Sequence, residues 1–254
     1  MTFLAEKSIT YINYAYRVMH LPAGLFGVAI GSVAVADFST RVAENTSDLL
    51  KERLQHALKL VSLLTIPIAT MFLVLSVPIC RVIYERGMFL STDTISTAQA
   101  LMLYAPGIFA AAGVRSVAAC FYALKDTKTP AFVGLSTVVI GIAMNLLLMH
   151  RIGFKSFPLV TSTMSFLNFG VLFYLCLRKI GPLGGKKIVR TILLSLLFSV
   201  ISGFVSYGLF KIIYKYFALA ELWGSLATLA IAGIIGLTLF YLLAKIFSLT
   251  KDKQ

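Results

Sequence analysis

The sequence predicts an all-α polytopic membrane protein with about seven transmembrane helices. Hydrophobic residues make up 59% of the 254-residue chain and charged residues only 13%, and the mean hydropathy is +0.90. One water-soluble core cannot bury that much apolar surface. The apolar residues also fall into continuous runs of about 20 residues or more, which is the length that a spanning helix needs. These runs are too continuous for the alternating strands of a membrane barrel.

Seven apolar runs are the expected spans. They are approximately 18–36, 58–80, 98–122, 131–149, 157–177, 188–213 and 220–247.

The basic residues predict how the chain is oriented in the membrane. Of the 23 Lys and Arg residues, 13 fall in segments on one side and 7 on the other, while Arg17, Lys59 and Arg115 lie in or beside spans. The positive-inside rule places the richer side in the cytoplasm, with the N-terminus outside and the C-terminus inside. The net charge of +13 therefore indicates orientation, and no nucleic-acid partner is expected. Because an outside N-terminus is unusual for an independently inserted chain, a preceding span is expected.

The first span begins directly after Arg17. An arginine inside a spanning helix costs about 2.5 to 3.5 kcal/mol on insertion scales, so it normally faces protein, a water-filled cavity or an anion. Gly27 and Gly31 follow with the GxxxG spacing, which favours close approach of another helix or a ligand. The alternative interpretation is an arginine that snorkels to the lipid headgroups beside an ordinary packing surface.

Segment 39–56 carries charged residues with leucines on one face, which predicts an amphipathic helix at the cytoplasmic surface, the alternative being a solvated loop. The second span contains Pro67 and closes at Pro78. An external loop follows over 81–94, with a turn expected at Gly87.

The third span holds Arg115 and ends in a turn that Asp126 can cap. Pro130 then opens the fourth span at a position where its missing N–H costs nothing. Asn145 lies in the fourth span, and its amide can hydrogen-bond a neighbouring helix. We expect a bundle of about five spans over 1–180 and an appended pair of peripheral helices over 181–254.

The distribution of polar groups excludes most membrane enzymes. All ten acidic residues lie in segments between spans or at span ends, so the acid and base groups that hydrolases and metal enzymes need together are missing. The three histidines and three cysteines are scattered, and no metal site, cofactor or disulfide framework is expected. The cationic groups that remain are Arg17 and Arg115. Their forked donors suit a phosphate-bearing anion between helices, although Arg115 can also simply snorkel.

Three motifs resemble those of the lipid II flippase family (MurJ, also called MviN). The segment YAYR at 14–17 with LPAGLFGVAIG at 21–31 is similar to its Y-A-D-R and L-P-x-G-x-x-G-x-A-x-G segment. YERGMF at 84–89 resembles its F-E-R-G-x-F loop, and FYALKDTKTP at 121–130 resembles its F-Y-A-x-x-D-T-K-T-P turn. The motifs occur in the correct order, and Tyr16 departs from the family pattern, which has aspartate at that position.

This resemblance implies the C-terminal lobe, spans eight to fourteen, of a fourteen-span flippase with two lobes around a central cavity. Arg17, Arg115 and Asn145 are then the candidate contacts of the substrate diphosphate and headgroup. The candidate structural or gating residues, all in the three motifs, are Pro22, Gly24, Gly27, Gly31, Glu85, Arg86, Gly87, Asp126 and Pro130.

The expected function is transport without covalent chemistry: the lipid-linked peptidoglycan precursor is moved across the bacterial cytoplasmic membrane for cell wall synthesis. Membrane lipid and an N-terminal half, encoded separately or missing, are the other expected partners, because one lobe supplies only one wall of the cavity. The alternatives are an exporter of another lipid-linked oligosaccharide from the same superfamily, and a non-transporting membrane scaffold.

Overall fold

The computed structural model describes residues 7–22, 24, 38, 47–183, 185–217, 222–247 and 249. These residues are almost entirely helical, and no strand occurs among them. We name the helical stretch 8–22 α1. The other helices are α2 (Ser47–Val74), α3 (Ser76–Tyr84), α4 (Ser91–Tyr104), α5 (Gly107–Ala123), α6 (Lys128–Ile152), α7 (Ser156–Ile180), α8 (Gly185–Phe217) and α9 (Leu222–Ile246).

The predicted all-α fold class is therefore confirmed. The predicted number of spans, about seven, is approximate. Five stretches are long and apolar enough to cross a membrane, and one of them, Lys128–Ile180, contains both α6 and α7 with a short 3-10 turn between them. Most of the first expected span, 18–36, lies outside the described residues. Of the expected amphipathic segment 39–56, the described part 47–56 forms the beginning of α2 and continues directly into the span.

Proline residues divide two of the expected spans. The second run, predicted as one span to residue 80, ends as a regular helix at Val74, and α3 begins two residues later. Pro78 explains this break, because its ring clashes with the carbonyl four residues earlier, which belongs to Val74. Pro106 separates α4 from α5 in the same way.

A neighbouring helix supplies the hydrogen bond that the second break requires. The Ser162 hydroxyl of α7 donates to the Leu103 carbonyl at 2.6 Å and lies 3.2 Å from the Tyr104 carbonyl. A Cβ atom on Gly107 would lie 2.8 Å from the Ser162 Oγ atom, so only glycine allows α7 to approach this closely. The exposed carbonyls of a broken membrane helix are thus satisfied inside the bundle.

The helices pack around three apolar clusters. One joins α2, α5 and α7, and in it the Cys120 and Cys176 sulfur atoms lie 3.6 Å apart as free thiols. A second joins α1, α3 and α4, and a third joins α8 and α9. Helix α8 also packs along α2, where a Cβ atom on Gly203 would lie 3.0 Å from the Thr70 methyl group.

Candidate functional site

Helix α1 presents an arginine beside a pair of aromatic rings. Arg17 is exposed, and Tyr16 next to it is 43% exposed. His20 follows Tyr16 by one helical turn, so the two rings meet, with their centroids 4.0 Å apart. The Tyr16 ring also packs edge-on against Tyr104 of α4 at 5.8 Å. These contacts hold Tyr16 and His20 in place between α1 and α4.

Arg115 reaches the same region from α5. It is half-buried, and it lies close enough to His20 for its positive charge to act on the imidazole. His20 is three residues after Arg17 and therefore on the same side of α1. The charge of Arg115 therefore acts on the side of α1 that carries Arg17. Among the described residues, no carboxylate forms an ion pair with Arg17.

The third candidate contact of the substrate, Asn145, lies on α6. Its Oδ1 atom is buried and accepts no hydrogen bond from the described residues. Gly141, one turn earlier on α6, faces α7, since a Cβ atom there would lie 3.1 Å from the Met164 side chain. Asn145 therefore lies at the contact between α6 and α7. A second asparagine with a buried, unpartnered Oδ1 atom, Asn168 of α7, was not singled out by the sequence.

The motif at 84–89 fixes the turn of α1 that carries Arg17. The Tyr84 hydroxyl donates to the Tyr14 carbonyl at 3.1 Å, and the two rings stack with their centroids 4.5 Å apart. Phe89 packs edge-on against Tyr14 at 5.6 Å. Burial raises the pKa of Tyr84, and the positive charge of Arg17 acts in the opposite direction, which shows that Arg17 lies nearby. Because Tyr14 precedes Arg17 by one turn, these contacts fix the part of α1 that carries the arginine.

The other residues of this motif shape its loop. Glu85 accepts a hydrogen bond from the Thr94 hydroxyl at 2.7 Å, which ties the loop to α4. Arg86 donates to two carbonyls in the last turn of α3, at 3.1 and 3.2 Å. Gly87 has a φ of +60°, a conformation that side-chain-bearing residues rarely adopt. The expected turn at Gly87 is therefore present.

Asp93 is a further anchor of α1 that sequence reasoning missed. Its side chain is buried and accepts hydrogen bonds from the Tyr11 hydroxyl at 2.7 Å and from the Leu90 N–H at 2.9 Å, with the Lys7 ammonium group at 3.4 Å. The hydrogen bond to Asp93 raises the pKa of Tyr11 to about 12. An acidic residue in the first turn of an expected helix was the available signal, but the side chains that bind it, Lys7 and Tyr11, lie more than 80 residues away in the sequence.

Asp126 and Pro130 organise the junction between α5 and α6. Asp126 accepts hydrogen bonds from the Thr129 N–H at 3.0 Å and the Thr129 hydroxyl at 2.8 Å, so it caps the turn as the sequence predicts. Lys179 at the end of α7 donates to it at 2.6 Å. The hydrogen bond from Lys179 has the largest effect on the pKa of Asp126, and the bonds from Thr129 act in the same direction. Together they lower this pKa to about 2. Pro130 is the third residue of α6, where a backbone N–H would have no intrahelical acceptor. The missing N–H of proline therefore costs no hydrogen bond at this position.

The remaining motif residues lie along the first expected span. Pro22 is buried at the end of α1, and a Cβ atom on Gly24 would meet no atom within 4 Å. Gly27 and Gly31 lie outside the described residues. Within the described part of the chain, no group of three or more His, Cys, Asp or Glu residues is placed to hold a metal ion.

Comparison with known proteins gives one consistent family. A family model described as "Lipid II flippase MurJ" matches residues 1–228. The probable lipid II flippase MurJ of Rickettsia prowazekii is 28% identical over 241 residues, which are 93% of this chain and 46% of that protein. The corresponding protein of Vibrio cholerae is 29% identical over 172 residues, 68% of this chain and 33% of that protein.

A solved structure agrees with the sequence matches. It is described as "Lipid II flippase MurJ, inward closed conformation", with a TM-score of 0.76 and 26% sequence identity. The match covers 96% of this chain and 48% of the other. This chain thus spans less than half the length of the relatives it matches.

Proposed function

The chain belongs to the lipid II flippase MurJ family, and from this we propose that it forms the C-terminal lobe of a flippase for a lipid-linked peptidoglycan precursor. The proposed reaction is movement of the precursor across the bacterial cytoplasmic membrane, with no covalent step. The observation that supports it best is the side of α1 that carries Arg17, on which the charge of Arg115 acts. The substrate class, a lipid-linked precursor, is taken from the names of the relatives. The arginines offer a chemical reason for this substrate, because guanidinium groups bind phosphate.

The arginine surface suits a diphosphate. A guanidinium group binds two phosphate oxygens at once through charge-assisted hydrogen bonds, each worth about 1.5 to 3 kcal/mol. Arg17 is exposed and has no ion pair with a described carboxylate, so its donors are available. Tyr16 and His20 offer ring surfaces beside it, on which a sugar or a second polar group of the substrate can pack.

Transport by this surface needs a facing wall. In an alternating-access mechanism the headgroup binds in a cavity closed on one side, and two lobes rock to open the other side. The described helices form a single bundle with the arginines on its surface. We therefore propose that a second lobe faces Arg17 during transport. The lipid tail of the substrate would remain in the bilayer throughout.

Substitution of Arg17 tests the proposal. The 254-residue chain is co-expressed with the N-terminal half of a full-length relative, in cells depleted of their own flippase, and precursor flipping is measured. Arg17→Ala should weaken flipping roughly tenfold to a hundredfold, the equivalent of one charge-assisted bond. Arg17→Lys should recover only part of it, since lysine keeps the charge but loses the fork.

Arg151→Ala is the matched control, because it removes an exposed arginine at the end of α6. It should leave flipping unchanged, and all variants should reach the membrane at equal levels. Normal flipping by Arg17→Ala would contradict the proposal and favour a scaffold role. Flipping by this chain without any second lobe would contradict the need for a facing wall.

We also propose that the N-terminus lies outside and the C-terminus in the cytoplasm, on the strength of the 13-to-7 distribution of basic residues. A reporter that fluoresces only in the cytoplasm, fused after Gln254, should be bright, and the same reporter fused before Met1 should be dark. The reverse pattern would overturn this orientation.

A further inference from the structure

Helices α5 and α7 pack against each other in a fixed register. A Cβ atom on Gly107 of α5 would lie 2.8 Å from the Ser162 Oγ atom of α7, and one on Gly113 would lie 2.6 Å from the Phe169 ring. Both residue numbers rise from the first contact to the second, so the two helices run in the same direction. Because neither glycine has room for a side chain, these contacts prevent one helix from sliding along the other.

Further along the same pair of helices, two thiols are in contact. Cys176 lies 56 residues after Cys120, the same separation as between Gly113 and Phe169, and the two sulfur atoms are 3.6 Å apart. Both are free thiols, and both side chains are buried. A disulfide requires its two cysteines to face each other on closely spaced backbones. The register of α5 and α7 provides this arrangement without any shift of one helix along the other.

An ion pair holds the helix ends together just beyond the thiols. The Lys179 ammonium group donates to Asp126 at 2.6 Å and lies 5.8 Å from the centre of the Phe121 ring. Lys179 follows Cys176 by about one turn, and its side chain is 42% exposed. Cys120 lies in the last turn of α5. The thiol pair is therefore buried in protein but close to the ends of both helices, where local opening costs least.

The third cysteine provides an internal comparison. Cys80 of α3 is completely buried, as Cys120 is, and it also lies near the end of its helix. It belongs to a different apolar cluster from the other two cysteines. Burial makes a single thiol unreactive, so contact with a second thiol is what distinguishes Cys120 and Cys176 from Cys80.

We propose that Cys120 and Cys176 are a redox-modification site, at which hydrogen peroxide converts the two thiols into a disulfide between α5 and α7. One thiolate attacks a peroxide oxygen, the O–O bond breaks, and a sulfenic acid and one water form. The second thiolate attacks the sulfenic sulfur, the S–O bond breaks, and the disulfide and a second water form. The two thiols lose two electrons, the peroxide gains them, and both thiol protons end in water.

The disulfide joins two helices that already touch, so it leaves the arrangement of the bundle unchanged. It closes a loop over the 56 residues between the two cysteines, which restricts the unfolded chain and raises the unfolding temperature. A small thiol reductant reverses the reaction. The inference does not depend on the proposed flipping activity.

Mass spectrometry of the full 254-residue chain in membranes tests the proposal. The membranes are treated with hydrogen peroxide, the remaining thiols are alkylated after denaturation, and the protein is digested with trypsin. The peptides Ser116–Lys125 and Ser156–Arg178 should be recovered joined, and dithiothreitol should separate them. Cys80 should be recovered alkylated. Links through Cys80 should be at least about a hundredfold rarer, because only groups held in contact react as if at a very high effective concentration.

Two variants and a stability measurement complete the test. Cys80→Ser is the matched control and should form the link as the wild type does, whereas Cys120→Ser should form none. Oxidation should raise the unfolding temperature of the wild type and of Cys80→Ser but not that of Cys120→Ser.

Several results would each overturn the proposal: recovery of Cys120 and Cys176 on separate peptides after oxidation, links formed chiefly through Cys80, or an equal rise of the unfolding temperature in Cys120→Ser. The wild-type chain alone shows or refutes the link, so the outcome does not depend on whether a variant folds.

Discussion

At the scale of single residues, Asp126 connects the beginning of α6 to the end of α7. It caps the turn through Thr129 and pairs with Lys179, which comes 53 residues later in the sequence. The Lys179 side chain is 42% exposed, so solvent screens part of this attraction. The pair is therefore chiefly a device that fixes where the two helix ends meet.

Acid should weaken this connection. The pKa of Asp126 is lowered to about 2, whereas an unfolded aspartate titrates near 3.9. A carboxylate with a lowered pKa stabilises the folded state fully above the unfolded pKa, and the stabilisation is lost as the pH falls toward the folded pKa. Stability should thus fall between about pH 4 and pH 2. In Asp126→Asn, thermal unfolding in detergent should show a smaller change across this range. An identical pH profile in both proteins would contradict the assignment.

The residue types of the site could be predicted from the sequence, but their partners could not. Arg17 stood out because a guanidinium group at a span is costly. The rings that fix this part of α1, Tyr14 and Tyr84, are 70 residues apart, and no local pattern indicates that they stack. Asp93 looked like an ordinary acidic residue near a helix start, because its role depends on Tyr11 of another helix. Asn145 was singled out by residue type, and its contact with the substrate stays a prediction.

At the scale of helices, the break between α4 and α5 depends on Ser162 of α7. Ser162→Ala would leave the Leu103 and Tyr104 carbonyls without this donor. We expect the free energy of unfolding to fall by about 1 to 2 kcal/mol, as measured by unfolding in mixed detergent. Ser165→Ala is the control, since that hydroxyl bonds a carbonyl of its own helix at 2.9 Å. Its effect should stay within about 0.5 kcal/mol, and an equal loss in both would argue against the role of Ser162.

The close packing of α8 against α9 predicts which glycine of α9 tolerates a larger side chain. A Cβ atom on Gly236 would lie 1.9 Å from the Ser206 Oγ atom and 2.6 Å from the Met71 methyl group. Gly236→Ala should therefore destabilise the fold by about 1 to 3 kcal/mol. Gly233→Ala, one turn earlier, meets nothing within 4 Å and should be neutral or slightly stabilising. Thermal unfolding of both variants decides whether α9 packs as described.

The sequence predicted which segments are helical better than it predicted where prolines break them into separate helices. Hydrophobic runs indicate where a helix crosses the membrane, because burial in lipid depends on composition. Whether a proline kinks a helix or ends it depends on what its neighbours can offer the freed carbonyls. At Pro106 the donor is a serine 56 positions away, so the sequence around the proline could not reveal it.

At the scale of the whole molecule, the apolar residues are on the outside as well as the inside. Large side chains of α6, α8 and α9 are strongly exposed, for example Phe132 at 73%, Leu147 at 74% and Phe204 at 69%. In water such a surface would cause aggregation, whereas in a bilayer it is the expected contact with lipid. The expected spans account for this surface, and only the structure shows which sides of the helices form it.

Phe204→Arg tests whether the outer side of α8 faces lipid. An arginine near the middle of a spanning helix should cost about 2.5 to 3.5 kcal/mol of insertion free energy. The fraction of protein that resists alkaline extraction from membranes should fall accordingly. Ile9→Arg is the control, because Ile9 is 65% exposed but precedes the first expected span. Equal extraction of both variants would contradict a lipid-facing α8.

The position of α2 has a mechanical consequence. This helix packs against α5 on one side and against α8 on another, and four serines of α8 are completely buried, Ser195, Ser199, Ser202 and Ser206. In the proposed transport cycle, a tilt of the bundle would therefore carry α8 and α9 along as one body. The lipids around that pair would have to be pushed aside in every cycle, so we expect the viscosity of the bilayer to act as friction on the transport rate.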